Sequence, residues 1–296
     1  MNKEELIVKL NGEISNEAKS EYLLRLGQLY YKNGSPKIFL EQYMNGDGKE
    51  LKKKFWSRHS SSRIAFDLYS CLANDKSIED FEFEYQLPGI LYKNKEFRKP
   101  NMDVYYKQNQ TVYFVESKFT ESPKETLPEA YYIKQDQYNN SKKTKIVKES
   151  ITNRYRGNNR IALVFSDFCL QYLPFIDNKN KADWFDYKQE LCHLFGILFF
   201  GIEKLKETDI KIINFRNIVY DFDDYQSLGQ IHISSTALDF INKAETLVNQ
   251  IFQEEKLNIQ FVYNYDFIQN IAKEYANKIG FGTNKSIKDL MKQYCL

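Results

Sequence analysis

Histidine and cysteine are scarce in this chain, with three His and four Cys among 296 residues. Cys71, Cys169, Cys192 and Cys295 are widely spaced and form no CxxC pair, so no zinc signature can be assembled. Read as reduced thiols, they suit a cytoplasmic protein. No sign of charge prevails either: 42 basic and 40 acidic residues leave a formal net charge of +2, so any nucleic-acid surface must be local. The longest apolar run, residues 194–202, falls far short of the ~20 residues that span a bilayer. The N-terminus, Met-Asn-Lys-Glu-Glu-Leu, lacks the shape of a signal peptide. A soluble, cytoplasmic protein that does not enter a membrane is expected. A Gly-rich phosphate loop is missing, and no Ser-His-Asp or His-Cys spacing is present, which argues against a P-loop NTPase or a serine hydrolase.

What the chain has is aromatic mass: 22 Tyr and 22 Phe, 16% aromatic with Trp, enough for a sizeable core and against disorder over most of its length. No internal repeat or Pro-rich linker divides it. The reading is an N-terminal helical extension over residues 1–50 and one compact domain over 51–296.

Residues 99–121 hold the most informative pattern. Two β-rich runs, 102–107 and 111–119, flank the polar tripeptide Gln108-Asn109-Gln110, a hairpin signal. By the period of two, Val112, Phe114, Glu116 and Lys118 share one strand face, and Tyr113, Val115, Ser117 and Phe119 share the other. Both faces are apolar until Glu116 and Lys118, as in a central strand covered on both sides whose end opens on a site. A two-residue loop pairs Gln108 with Thr111 and sets Asp103 opposite Glu116, with β-carbons ~4.5–5.5 Å apart. A three-residue loop puts the two acids on opposite faces. Opposed carboxylates repel, and a divalent cation between them, with the Lys118 ammonium close by, meets that need.

Asp103, twelve intervening residues, Glu116, one residue and Lys118 form an order that resembles the PD-(D/E)XK nuclease superfamily. Met102 stands where the superfamily name has Pro, and Pro100 lies three positions before Asp103. The resemblance implies an α/β, restriction-endonuclease-like mixed β-sheet flanked by helices. It also implies a hydrolase of phosphodiester bonds in which Asp103, Glu116 and the Ser117 carbonyl hold Mg²⁺ or Mn²⁺ and Lys118 assists. The string Phe-Trp-Ser-Arg-His-Ser-Ser-Ser-Arg-Ile-Ala-Phe at 55–66 and the string Asp-Tyr-Lys-Gln-Glu-Leu-Cys-His-Leu-Phe-Gly-Ile at 186–197 are similar to helices of the same branch. By that likeness Gln189 and His193, at i and i+4, become neighbours of the active site. Left to itself, His193 reads as a satisfied interior histidine.

Around this centre, residues 3–31 read as helix, broken at Asn11-Gly12, and 38–43 as a further helical stretch. Ser60, Ser61 and Ser62 are N-cap candidates for a helix with an apolar stripe at Ile64, Ala65, Leu68, Cys71 and Leu72. On its other face Asp67 is either a third acid for the metal or the partner of Arg63 in an i, i+4 ion pair. Residues 81–87 alternate as a first strand, and Glu84 on its polar face is either solvated or near the metal. Residues 160–165, 210–220 and 259–263 read as strands, and 186–200, 236–255 and 267–278 as helices, followed by a polar tail from Phe281.

Between Lys134 and Arg160 eight basic residues stand against two acidic ones, interleaved with Tyr131, Tyr132, Tyr138 and Tyr155. Positive charge with aromatics suits a surface that tracks phosphates and stacks bases, and Lys142, Lys143, Lys145, Arg154 and Arg156 are the DNA-contact candidates. The expectation is therefore a Mg²⁺-dependent DNA endonuclease of restriction or phage-defence type. As a double-strand cutter it would work as a homodimer. A nucleic-acid-binding module that keeps the fold without turnover, and an α/β interaction protein with an accidental motif, are the alternatives.

Overall fold

The computed structural model describes residues 3–32, 35–45, 50–52, 54–58, 60–92, 95–97, 99–119, 185–221 and 235–296, with short pieces at 164–165, 167–169 and 171–172. The basic segment 134–160, with all five DNA-contact candidates, lies outside the described residues.

The N-terminal part comprises α1 (Lys3–Lys9), α2 (Asn16–Leu26), the hairpin β1 (Leu29–Lys32) and β2 (Ser35–Ile38), and α3 (Phe39–Asn45). The break at Asn11-Gly12 falls as the sequence suggests, and Gly12 takes φ +87°. Residues 29–31, expected to be helical, are strand instead. Gly27 closes α2 by donating to the Leu23 carbonyl, and Leu29-Tyr30-Tyr31 is a β-prone triplet.

Helix α4 (Ser61–Tyr69) starts at Ser60, whose hydroxyl accepts from the Arg63 N–H at 3.2 Å. Strand β3 (Ile78–Gln86), a small hairpin β4 (Ile90–Tyr92) and β5 (Lys95–Phe97), and then β6 (Asn101–Gln108) and β7 (Thr111–Lys118) follow. Gln108 pairs with Thr111, so the loop holds only Asn109 and Gln110, and Asn109 accepts the left-handed φ of +53° that so tight a turn demands. Helix α5 (Tyr187–Lys204), strand β8 (Ile212–Val219), helix α6 (Ser235–Glu254), strand β9 (Gln260–Phe267) and the short helices α7 (Ile268–Glu274) and α8 (Ile287–Met291) complete the described chain.

Five strands form one mixed sheet in the order β3-β6-β7-β8-β9. The pairs β3/β6 and β6/β7 are antiparallel; β7, β8 and β9 run parallel. The protein is thus a mixed α/β fold with helices on both sheet faces. On one face Val112, Phe114, Phe215 and Phe261 pack with Leu194, Phe195, Leu198, Phe240 and Val248 of α5 and α6. On the other, Val104, Val115 and Ile218 pack with Ile64 and Leu68 of α4, with Leu26, Tyr30 and Tyr43 of the N-terminal part, and with Phe281 and Tyr294. β7 is therefore covered on both sides, as its two apolar faces require. Among the described residues no helix is long and apolar enough to cross a membrane.

Two expectations need correction here. The strand expected at 160–165 is not found at its described end, for Val164 and Phe165 are helical, as are 167–169 and 171–172. Phe165, Phe168, Cys169 and Tyr172 are all buried, and their spacing is that of one helix face rather than a strand. The polar tail from Phe281 is likewise not a tail: Phe281, Ile287, Leu290, Met291 and Tyr294 are buried, and Ser286 caps α8 through the Asp289 N–H at 3.2 Å.

Among the described residues the β9 edge is closed by side chains of α6. Asn249 of α6 accepts from the Phe261 N–H at 2.7 Å and donates to its carbonyl at 2.8 Å, and Glu245 accepts from the Tyr263 N–H at 2.8 Å. Unpaired edges invite pairing with other chains. Asn249→Ala should cost about 1–3 kcal/mol. A lowered urea midpoint and turbidity on refolding would show it.

Candidate active site

The hairpin register fixes the site. Val104 pairs with Val115 and Gln108 with Thr111, so the next level sets Asp103 beside Glu116, and the Ser117 N–H donates to Asp103 Oδ2 at 2.7 Å. In the parallel pairings Glu116 stands opposite Asn217, and Asn217 opposite Tyr265. On the outer strand Phe83 pairs with Val104 and Tyr85 with Met102, which brings Glu84 to the level of Asp103. A row of Glu84, Asp103, Glu116, Asn217 and Tyr265 thus crosses all five strands.

Glu84 has φ +50°, costly for a side chain that is not glycine. The alternation of β3 reverses there: Phe81 and Phe83 face the α4 core, whereas Tyr85 packs and Leu87 is buried on the α5 side. The strand therefore turns its side chains over at the site while its register with β6 continues unbroken.

Helix α5 lies over this row because Asp186 caps it, accepting from the Gln189 N–H at 3.0 Å. Gln189 Nε2 then reaches Glu116 Oε1 at 2.6 Å, and Lys118 Nζ reaches the same oxygen at 2.6 Å. His193 Nε2 lies 3.7 Å from Glu116 Oε2. Burial, and then the Lys118 charge, lower the His193 pKa to about 3, so its ring is neutral and the contact is no ion pair. Asp103, Glu116, Lys118, Gln189 and His193 are thus together, with Glu84 at the same level.

Asp67 is held in a separate buried network. Its Oδ1 accepts from Arg25 at 2.9 Å, and its Oδ2 from Tyr22, from Tyr294 at 2.7 Å and from Gln293 at 2.8 Å. The i, i+4 pairing with Arg63 is not made: Arg63 donates instead to the Tyr294 hydroxyl at 3.0 Å and to the Arg58 carbonyl at 2.8 Å. Arg25 wins because its guanidinium enters the same buried space from α2.

The electrostatics of the row are those of too many carboxylates. Burial, and then the charges of Glu116 and Glu84, push Asp103 well above the ordinary carboxylate range, against the opposing pull of Lys118 and the Ser117 N–H. Lys118 is the cation whose charge opposes those of Glu116 and Glu84 at Asp103. Ser117 Oγ, Asn101 Oδ1, Asn217 Oδ1 and His193 Nδ1 are buried without a hydrogen-bond partner, four of the six such side-chain atoms among the described residues. Ser117 lies on the opposite face of β7 from Glu116 and Lys118, so its hydroxyl belongs to the α4 side and not to the row.

Two carboxylates and a backbone carbonyl are hard oxygen donors that fit Mg²⁺, which commonly takes one or two protein carboxylates and fills its shell with water and phosphate oxygens. Among the described residues no cluster of three or more His, Cys, Asp or Glu could enclose a metal by itself.

Two neighbours went unread in the sequence. Glu190 is fully buried, accepting from Asn217 Nδ2 at 2.7 Å and from the Tyr263 hydroxyl. Each leaves a trace: Glu190 interrupts the apolar stripe of α5 at Tyr187, Leu191 and Leu194, and Asn217 interrupts the series Ile213, Phe215, Val219 on one face of β8.

Burial raises the Glu190 pKa to about 8, the Glu116 charge adding to it and the Tyr263 hydroxyl opposing it. The folded state therefore keeps a proton that the unfolded chain gives up above its ordinary carboxylate pKa, and stability falls as pH rises towards 8. Glu190→Gln should match the wild type near pH 5 and exceed it near pH 8.5 by on the order of a few kcal/mol. Thermal unfolding across that range reads the difference between the two curves.

No protein-family model, curated protein or solved structure matches the chain.

Proposed function

We propose that this chain is a metal-dependent endonuclease of restriction-endonuclease-like type that hydrolyses phosphodiester bonds of DNA. The observation that carries the reading is the hairpin register, which sets Asp103 level with Glu116, where Lys118 of the same strand and Gln189 of α5 meet on one Glu116 oxygen. The order Asp103, Glu116, Lys118 supports it from the sequence side, and the charges of Glu116 and Glu84 that push the Asp103 carboxyl up are ones a bound cation would offset.

Asp103, Glu116 and the Ser117 carbonyl would hold Mg²⁺ or Mn²⁺, which when bound supplies charge for the phosphate and a more acidic water. Lys118, about one-fifth exposed, pairs with Glu116 and presents positive charge where a phosphate oxygen gains negative charge. Gln189 fixes the rotamer of Glu116. The Ser117 N–H fixes Asp103 Oδ2, so the two carboxylates are oriented before any ligand arrives. His193 is neutral and serves as a wall or as a hydrogen-bond partner, not as an acid at neutral pH.

Purified protein incubated with supercoiled plasmid tests the reading. Nicked or linear product with Mg²⁺ or Mn²⁺ and none with EDTA is expected. No product in any lane, with no metal-induced rise in melting temperature, would overturn it in favour of a nucleic-acid-binding module without turnover.

A further inference from the structure

Gln189 and Glu190 are adjacent on α5, and their side chains reach different strands. Gln189 bonds Glu116 on β7 at 2.6 Å, while Glu190 holds Asn217 on β8 at 2.7 Å and Tyr263 on β9. One turn of helix is pinned across three parallel strands. Asn217 stands directly opposite Glu116 in the register, so the pins adjoin the strand level that carries the candidate metal ligand.

Burial of α5 does not need this polar set. Leu191, Leu194, Phe195 and Leu198 already seat the helix in the apolar core, and apolar replacement of a buried polar cluster is often neutral or stabilising. Apolar contacts tolerate a slide or rotation of the helix that directional hydrogen bonds do not. We infer that Glu190, held by Asn217 and Tyr263, is a positioning residue that sets α5 so that Gln189 meets Glu116. It acts through Gln189 and does not touch substrate; its bearing on cleavage rests on the endonuclease reading above.

The test uses full-length protein labelled with ¹⁵N-glutamine, the Gln189 side-chain amide signal being assigned by its loss in Gln189→Ala. In folded Glu190→Leu that signal should move towards the position of a solvated amide, and in Glu190→Gln it should return to that of the wild type. Plasmid cleavage should follow: Glu190→Leu lowers kcat about 30-fold with KM for DNA little changed, and Glu190→Gln restores it to within about threefold. In a Gln189→Ala background Glu190→Leu should add nothing, because both act through one contact.

An unmoved Gln189 signal in folded Glu190→Leu, or an undiminished effect of Glu190→Leu on top of Gln189→Ala, would overturn the assignment. Should Glu190→Leu not fold, Asn217→Ala and Tyr263→Phe remove the two pins singly and give the same readout. A wild type that fails to cut with Mg²⁺ would remove the endonuclease reading while the amide signal still decides the positioning.

Discussion

Glu116→Ala is expected to lower Mg²⁺-dependent plasmid cleavage by about 10³-fold or more and to leave the melting temperature at or above that of the wild type. The two halves of this result come from different terms. Removing the carboxylate takes away an acceptor shared by Lys118 and Gln189. Both donors are only partly buried, so water can replace much of what they lose. Against that loss stands the relief of Asp103, whose carboxyl is pushed up by the charge of Glu116 as well as by burial. Terms of similar size and opposite sign nearly cancel in stability, whereas cleavage has no such compensation. A structural ion pair behaves otherwise, because breaking one commonly costs ~3–5 kcal/mol. Parallel thermal unfolding and plasmid assays decide: a large fall in melting temperature would make Glu116 structural and count against the endonuclease reading.

The parts of this arrangement that were legible in the sequence are those encoded within a short span. The two-residue turn after Gln108 sets the register of the whole hairpin, so the facing of Asp103 and Glu116 follows from a handful of residues. Gln189 and His193 share a helix face by spacing alone, and α5 brings both to Glu116. Glu190 was harder, because a charged residue one position from Gln189 reads as helix surface until the neighbouring strands are known. Asn217 has the same difficulty, since its meaning depends on α5 lying above β8. Period also misled: the strand read at 160–165 overlooked the helical spacing of Phe165, Phe168 and Tyr172. The C-terminal segment looked polar because its buried residues, Ile287, Leu290, Met291 and Tyr294, are separated by Lys288, Asp289 and Lys292, which are exposed, and by Gln293, whose amide reaches Asp67.

Asp67→Asn is expected to destabilise the protein by ~3–5 kcal/mol, lowering the melting temperature by roughly 10 °C, without lowering cleavage per folded molecule. Asp67 gathers Tyr22 and Arg25 of α2 with Gln293 and Tyr294 of the C-terminal end, its Arg25 partner lying 42 residues away and its Tyr294 partner 227. Such long separations are why neighbouring Arg63 looked like the natural partner. Arg25 is 1% exposed, with its guanidinium about 5 Å from the Tyr22 and Phe66 ring centres. An amide at Asp67 keeps the shape but leaves that cation without a counter-charge, and the cost of a buried unpaired charge dominates. Arg25→Met combined with Asp67→Asn should recover part of the loss, because the second change removes the stranded charge. Loosening of both ends of the chain should appear as faster proteolysis near residues 281–296. Cleavage assayed well below the lowered melting temperature separates the two roles of this acid: retained cleavage keeps Asp67 a structural tie between α2, α4 and the C-terminal end, and lost cleavage in folded protein would make it a third acid of the active site.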